Sequence, residues 1–272
     1  MLIDTHCHLD AREFDADRDA VIERARKQAV HAIVIPAVAR SNFEAVRALA
    51  CSFQGGSYAL GIHPISVPDA KESDLVELER RIERSLSDHR FVAIGEIGLD
   101  FFIPALKETG MRVKQEAFYV AQLDLALRYD LPVLLHVRRS QDLLLKHLRR
   151  RPKIGGIAHA FNGSFQQAGQ FIEQGFTLGF GGAMTFTRAL QIRRLAEQLP
   201  LDTLVLETDA PDIPPEWLVK PGAAAPRNEP FEVARIADVL AGLRQTTTED
   251  ITAATAANAL RSLPRLADAL IR

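Results

Sequence analysis

The chain has 272 residues, 47% hydrophobic and 25% charged, with a formal net charge of -2; this suits an ordinary folded protein and leaves any anionic partner to local basic groups rather than global attraction. Two cysteines, Cys7 and Cys51, are too few for a disulfide framework. No charged leader with a long apolar run opens the sequence and no stretch of ~18 apolar residues occurs, so a cytoplasmic location without membrane insertion is expected.

The opening Leu2-Ile3-Asp4-Thr5-His6-Cys7-His8-Leu9-Asp10 reads as a strand, along which side chains alternate faces. His6 and His8 then project together, and Cys7 turns away as a small packed residue. Helical spacing follows over 17–28, an apolar strand over 32–36, a helix capped by Ser41 to about residue 52, and a strand over 57–62. A helix over 73–86 leads to strand four, 91–96, and a long helix over 112–129 leads to strand five, 132–136. Helix 141–150, strand 156–159, helix 165–174, strand 176–180, helix 188–199 and strand 204–207 complete the series. Helices over 230–243 and 249–263, the second capped by Thr248, close the chain.

Continuously apolar strands, each followed by a helix, predict a parallel sheet covered on its outer face. Eight such units predict an α/β fold with a single (β/α)8 TIM barrel, one domain over 1–272, since no Gly-rich phosphate turn points to an open doubly wound sheet.

In such a barrel the active site occupies the C-terminal strand ends. His6, His8, His63, His136 and His159 all fall at those ends, joined by the carboxylates Glu96 after strand four and Asp209 after strand eight. His31, His89 and His147 lie elsewhere and read as structural. Imidazoles and acids gathered out of water call for a cation, and nitrogen and oxygen donors without thiolates suit zinc, manganese, iron or magnesium. Six donors exceed what one catalytic zinc needs, so a two-metal centre bridged by Glu96 is expected.

The segments Asp4-Thr5-His6-Cys7-His8-Leu9-Asp10, Gly61-Ile62-His63-Pro64, Gly95-Glu96-Ile97-Gly98-Leu99-Asp100, Leu135-His136 with Arg138, His159 with Phe161, Gly163 and Ser164, and Glu207-Thr208-Asp209-Ala210-Pro211 resemble the TatD family of metal-dependent deoxyribonucleases, and within it the YjjV-like branch. The resemblance implies a metal-dependent hydrolase with a binuclear site: His6, His8 and Asp209 on one ion, His136 and His159 on the other, Glu96 between. The implied cofactors are two divalent ions (Mg, Mn or Zn), and the implied partner is DNA or a small phosphodiester. At three places this chain departs from the family pattern, Phe101, Val137 and Asn162, all read as pocket-wall positions.

Two such ions would supply an acidified water for attack on phosphorus, and Glu96 and Asp209 are expected as catalytic carboxylates, Asp209 orienting that water or taking its proton. Glu207 is expected one layer deeper, accepting from a ligating imidazole or pairing with a barrel cation. Arg138, two residues past His136, is expected to contact phosphate or to form a rim ion pair; His63 is expected to bind substrate, join the metal shell or be a plain loop residue. Phe101-Phe102 either stacks a base or seals the mouth. The 211–230 loop, with six prolines and Trp217, reads as a stiff wall, and Asn228 as the cap of the next helix. The basic run Arg149-Arg150-Arg151-Pro152-Lys153 belongs at the opposite rim, against a helix C-terminus. The leading function is a 3′ deoxyribonuclease; an amidohydrolase-like esterase or lactonase and a catalytically idle metal-binding module are the alternatives.

Overall fold

The computed structural model describes residues 1–220 and 222–271. Eight parallel strands form one sheet in sequence order: β1 (Leu2–Asp4), β2 (Val30–Pro36), β3 (Gly56–Leu60), β4 (Phe91–Asp100), β5 (Val133–Arg138), β6 (Gly156–His159), β7 (Phe176–Phe180) and β8 (Leu204–Leu206). Backbone bonds from Thr5 N–H to the Leu206 carbonyl at 3.1 Å and from Asp209 N–H to the His6 carbonyl at 2.8 Å join the last strand to the first. The barrel is therefore closed, which removes the exposed edges an open sheet would carry.

Between the strands run α1 (Arg18–Lys27), α2 (Phe43–Cys51), α3 (Glu72–Ser85), α4 (Thr109–Arg128), α5 (Gln141–Leu148), α6 (Phe165–Glu173) and α7 (Leu190–Gln198), and α8 (Val233–Arg244) follows β8. Leu78 and Ile82 of α3, Leu144 and Leu145 of α5 and Phe171 of α6 are buried against strand residues such as Leu60, Leu135 and Ala158. A second apolar cluster fills the inside: Ile3, Val34, Leu134, Ile157 and Val205 meet Ala256, Ala259 and Leu263. Those last three belong to α9 (Thr248–Ser262) and the residue after it, and with α10 (Leu266–Ile271) they plug the end opposite the site. Asn258 fixes the plug by donating to the Leu201 and Leu204 carbonyls at 2.8 and 2.7 Å.

Two boundaries differ from expectation in ways that matter. Strand four does not stop at Glu96; β4 pairs with β5 on to Asp100↔Arg138, after a register break between Ile94 and Ile97. The α9 cap is Thr247, not Thr248: Thr247 is extended and its hydroxyl accepts from Asp250 N–H at 3.1 Å. No helix among the described residues is long and apolar enough to cross a membrane.

Candidate metal centre

Glu96 is the hub of the barrel mouth. Its Oε2 lies 3.0 Å from His6 Nε2 and 3.4 Å from His8 Nε2. Its Oε1 lies 2.8 Å from His136 Nδ1, 3.3 Å from His63 Nε2 and 3.6 Å from His159 Nε2. Asp209 Oδ1 stands 3.6 Å from both His6 Nε2 and His8 Nε2. All six predicted ligand residues therefore meet, and His63 is as near to Glu96 as they are. Three overlapping groups are compact enough to hold an ion: His6–His8–Asp209, His6–Glu96–His159 and His63–Glu96–His136.

Local structure presents these groups. Asp4, fully buried, accepts from the Thr208 hydroxyl at 2.5 Å, the Thr208 N–H at 2.9 Å and the His6 N–H at 3.3 Å. One carboxylate thus ties the turn after β1 to the turn after β8, and so sets His6 against Asp209. Cys7 faces away as expected, wholly buried, its thiol donating to the Ala210 carbonyl at 3.6 Å.

Carboxylates behind the imidazoles decide which nitrogen is free. His136 places Nε2 3.2 Å from Asp100 Oδ2, so its Nδ1 keeps a lone pair toward Glu96. His159 places Nδ1 3.2 Å from Glu207 Oε1, so Nε2 faces the centre. Glu207 is the acceptor behind a candidate ligand, as expected, and also takes the Ala160 N–H at 2.6 Å. His63 is arranged oppositely: its Nδ1 accepts the Ile65 N–H at 3.0 Å. A neutral His63 consequently carries its proton on Nε2, where it donates into the site.

The electrostatics ask for positive charge. Burial opposes protonation of His159, yet the carboxylates of Asp209, Glu207 and Glu96 overcome it and carry the ring up to about 10. For His8, burial is likewise overruled by Glu96 and Asp209, and the ring is carried up to about 9. His6, stacked on His159 at 3.8 Å between ring centroids, is driven down by burial and by that neighbour's charge. Burial holds His63 down near 4 and raises Asp209 to about 6. Nitrogen and oxygen donors converge from two sides on one carboxylate that calls for cations, so the donor set fits divalent ions.

The family described as TatD related DNase matches residues 3–264. The chain belongs to the TatD family. It is 40% identical over 251 residues to the uncharacterized metal-dependent hydrolase YjjV of Escherichia coli K12, covering 92% of each chain. The crystal structure of that protein superposes with a TM-score of 0.88 at 39% identity, covering 97% of this chain and 98% of the other. The human deoxyribonuclease TATDN3 is 32% identical over 271 residues, covering 97% of this chain and 95% of its own. This TatD-family chain is a hydrolytic enzyme built on a TIM barrel.

A cavity of about 880 Å³ opens above the TatD centre. Val137, Asn162, Arg138 and Phe102 line it, while Phe101 does not. The pair of phenylalanines divides: Phe101 is 8% exposed and packs in the main apolar cluster, whereas Phe102 is 43% exposed. Arg138 lies 3.7 Å from Asp100 and holds its guanidinium carbon 4.0 Å from the Phe102 centroid. Pro211 and Ile213 of the proline-rich loop form one wall; Trp217 instead turns its N–H to Glu232 at 2.8 Å. Of that loop, Pro221 lies outside the described residues.

Asn228 does not cap the following helix. Its amide donates to the Thr208 carbonyl at 2.8 Å and the Asp212 carbonyl at 3.0 Å, pinning the loop to the turn that carries Asp209. The basic run sits as expected, with Arg151 donating to the His147 carbonyl at 3.2 Å and to Asp124 at 2.8 Å. None of His31, His89 and His147 lines the mouth, and His147 bonds Glu116 at 2.5 Å.

Two residues that position this site were missed from sequence. Asp100 accepts from Phe102 N–H at 2.8 Å and Ile103 N–H at 3.1 Å besides facing His136. Against the upward pull of burial, those bonds and His136 hold its carboxyl down at about 2. Gln115 of α4 in turn accepts the Asp100 N–H at 2.9 Å. The signal for Asp100 was period-two spacing of Glu96, Gly98 and Asp100; Gln115 had none.

Proposed function

We propose that the protein is a divalent-metal-dependent phosphodiesterase that removes nucleotides from a 3′ end of DNA. The observation that carries this reading is the division of Glu96, with Oε2 facing His6 and His8 and Oε1 facing His136 and His159. Such a carboxylate is suited to lie between two ions, one held with His6, His8 and Asp209, the other with His136 and His159. When bound, two divalent ions supply Lewis-acid polarisation of a phosphoryl group and an acidified water at neutral pH.

The remaining work falls to side chains. Asp209 Oδ1, beside His6 and His8, accepts the proton of the attacking water. His63 Nε2–H donates to a phosphoryl oxygen, and Arg138 adds positive charge at the rim of the same cavity. Glu207 and Asp100 keep His159 and His136 in the ligating tautomer. The esterase or lactonase alternative would commonly bridge with a modified lysine; the bridging place here is Glu96, and no lysine lines the mouth among the described residues. Complete donors count against an idle binding module.

The test is to strip metal, add back Mg, Mn or Zn, and follow single-stranded DNA labelled at either end beside a small phosphodiester. Shortening from the 3′ end that requires metal and is lost in His136→Ala supports the reading. Turnover of carboxyl esters with neither phosphodiester cleaved would overturn it.

A further inference from the structure

We propose that Phe102, Arg138 and Arg139 form a rim that holds the nucleotide next to the scissile phosphate, so that the enzyme grips the end of a single-stranded DNA chain rather than an isolated phosphodiester. This rests on the phosphodiesterase reading of the same centre.

Three observations carry it. Consecutive residues of an extended chain point to opposite sides, yet Arg138 and Arg139 both reach one ring, with guanidinium carbons 4.0 and 4.8 Å from the Phe102 centroid. The left-handed backbone at Arg139, φ 55°, breaks the alternation and brings the second guanidinium back. Arg139 pairs with no carboxylate among the described residues, and Arg138 only approaches Asp100 at 3.7 Å. Two exposed cations gathered on a 43% exposed aromatic ring offer phosphate contacts beside accessible aromatic surface that a base can pack against. Finally, the cavity is polarised: Asp10, Glu13 and Asp212 line its other side, which repels phosphates and directs a strand over the arginines.

The rim is also within reach of the chemistry. Arg138 follows His136 by two residues, roughly 7 Å along the strand, and the carboxylate of Asp100 serves both, facing His136 at 3.2 Å and fixing the Phe102 N–H at 2.8 Å.

The test is fluorescence anisotropy of the metal-loaded, full-length protein with labelled phosphorothioate hexathymidylate, which resists cleavage and keeps its charge, at several salt concentrations. For Arg139→Ala the expected result is binding about fivefold or more weaker, with the slope of log affinity against log salt smaller in magnitude by about 0.7. Arg139→Lys restores the slope, Phe102→Ala weakens binding about fivefold or more at an unchanged slope, and Arg150→Ala at the opposite rim changes neither. An Arg139→Ala slope equal to wild type, an Arg150→Ala effect of the same size, or no binding to wild type overturns the rim. Ordinary DNA that binds through these residues yet is never cut with any metal overturns the nuclease reading and leaves the rim; DNA cut equally by wild type and rim variants, with unchanged slopes, does the reverse.

Discussion

The two ends of the barrel use backbone irregularity and charge for opposite purposes. At the closed end, left-handed residues such as Ala29, Gly55, Asp130 and Gly175 lie in the turns that lead from a helix into the next strand. The cations there lie over carbonyls: Arg90 donates to Ala50, Phe53 and Gly56, and Arg265 donates to Leu86 and Asp88. At the open end, left-handed residues include Arg139, Ala160, Asp209 and Ile213, in loops that line the cavity over the candidate metal centre. There Asp4, His6, Glu96, His159 and Glu207 are at most 4% exposed. Charge at the closed end neutralises helix termini and stabilises the fold. At the open end it is desolvated and left needing a cation, a cost the apolar layers below must offset. Variants at the two ends should therefore separate activity from stability.

Glu96→Gln should give the largest effect, because it keeps volume while removing the charge that five imidazoles face. kcat/KM on single-stranded DNA should fall at least about a thousandfold, measured in single-turnover assays alongside bound metal by mass spectrometry. The wild type should melt several degrees higher when metal is added, since a ligand at 100 times its Kd stabilises by about 2.7 kcal/mol; the variant should not. Retained activity with retained metal would show that the hub lies elsewhere.

Asp100→Asn should be next. Its amide cannot hold His136 in the same tautomer, and such losses behind a ligand typically cost about 10–100-fold in metal affinity or activity. The melting temperature of the metal-free protein should stay close to wild type, which distinguishes positioning from folding.

The difference between the two ends also explains what could be read without coordinates. The barrel was legible because buried parallel strands are apolar throughout, as in Val133-Leu134-Leu135, and the clustering of the imidazoles and carboxylates because they stand at strand ends where a closed barrel must gather them. Asp100 was not legible as a positioning group: the apolar run of strand four reads as ending at Glu96, and only pairing with β5 shows that the strand continues to Asp100. Phe101 and Phe102 are chemically identical, so which one is buried depends on the path of the loop that Asp100 fixes. Asn228 could not be assigned because its partners are 15–20 residues away, brought near only by closure of the 211–230 loop. With Thr247 and Thr248 adjacent, the cap is decided by backbone angles that composition does not contain.

A smaller effect, mainly on stability, is expected one layer below the centre. A Cβ added at Gly179 would come 2.1 Å from Glu207 Oε2, and the carboxylate is walled in at 1% exposure. Gly179→Ala should cost about 1–3 kcal/mol of stability by overpacking, read from chemical denaturation. It should also reduce activity if Glu207 is displaced from His159. Unchanged stability would mean that the Glu207 side chain moves aside freely.

The smallest effect belongs to the closed end and should run the other way. Ala29 is exposed, follows α1 and holds φ 58°, a conformation that costs an L-residue on the order of 1 kcal/mol and glycine almost nothing. Against that gain stands the greater freedom of glycine in the unfolded chain, worth about 0.4–1 kcal/mol. The first effect should slightly exceed the second because Ala29 buries no side-chain area that glycine would forfeit. Ala29→Gly should therefore stabilise the protein by a few tenths of a kcal/mol and leave DNA cleavage untouched. A loss of more than about 1 kcal/mol in urea unfolding would show that the turn into β2 does not carry the strain its φ implies.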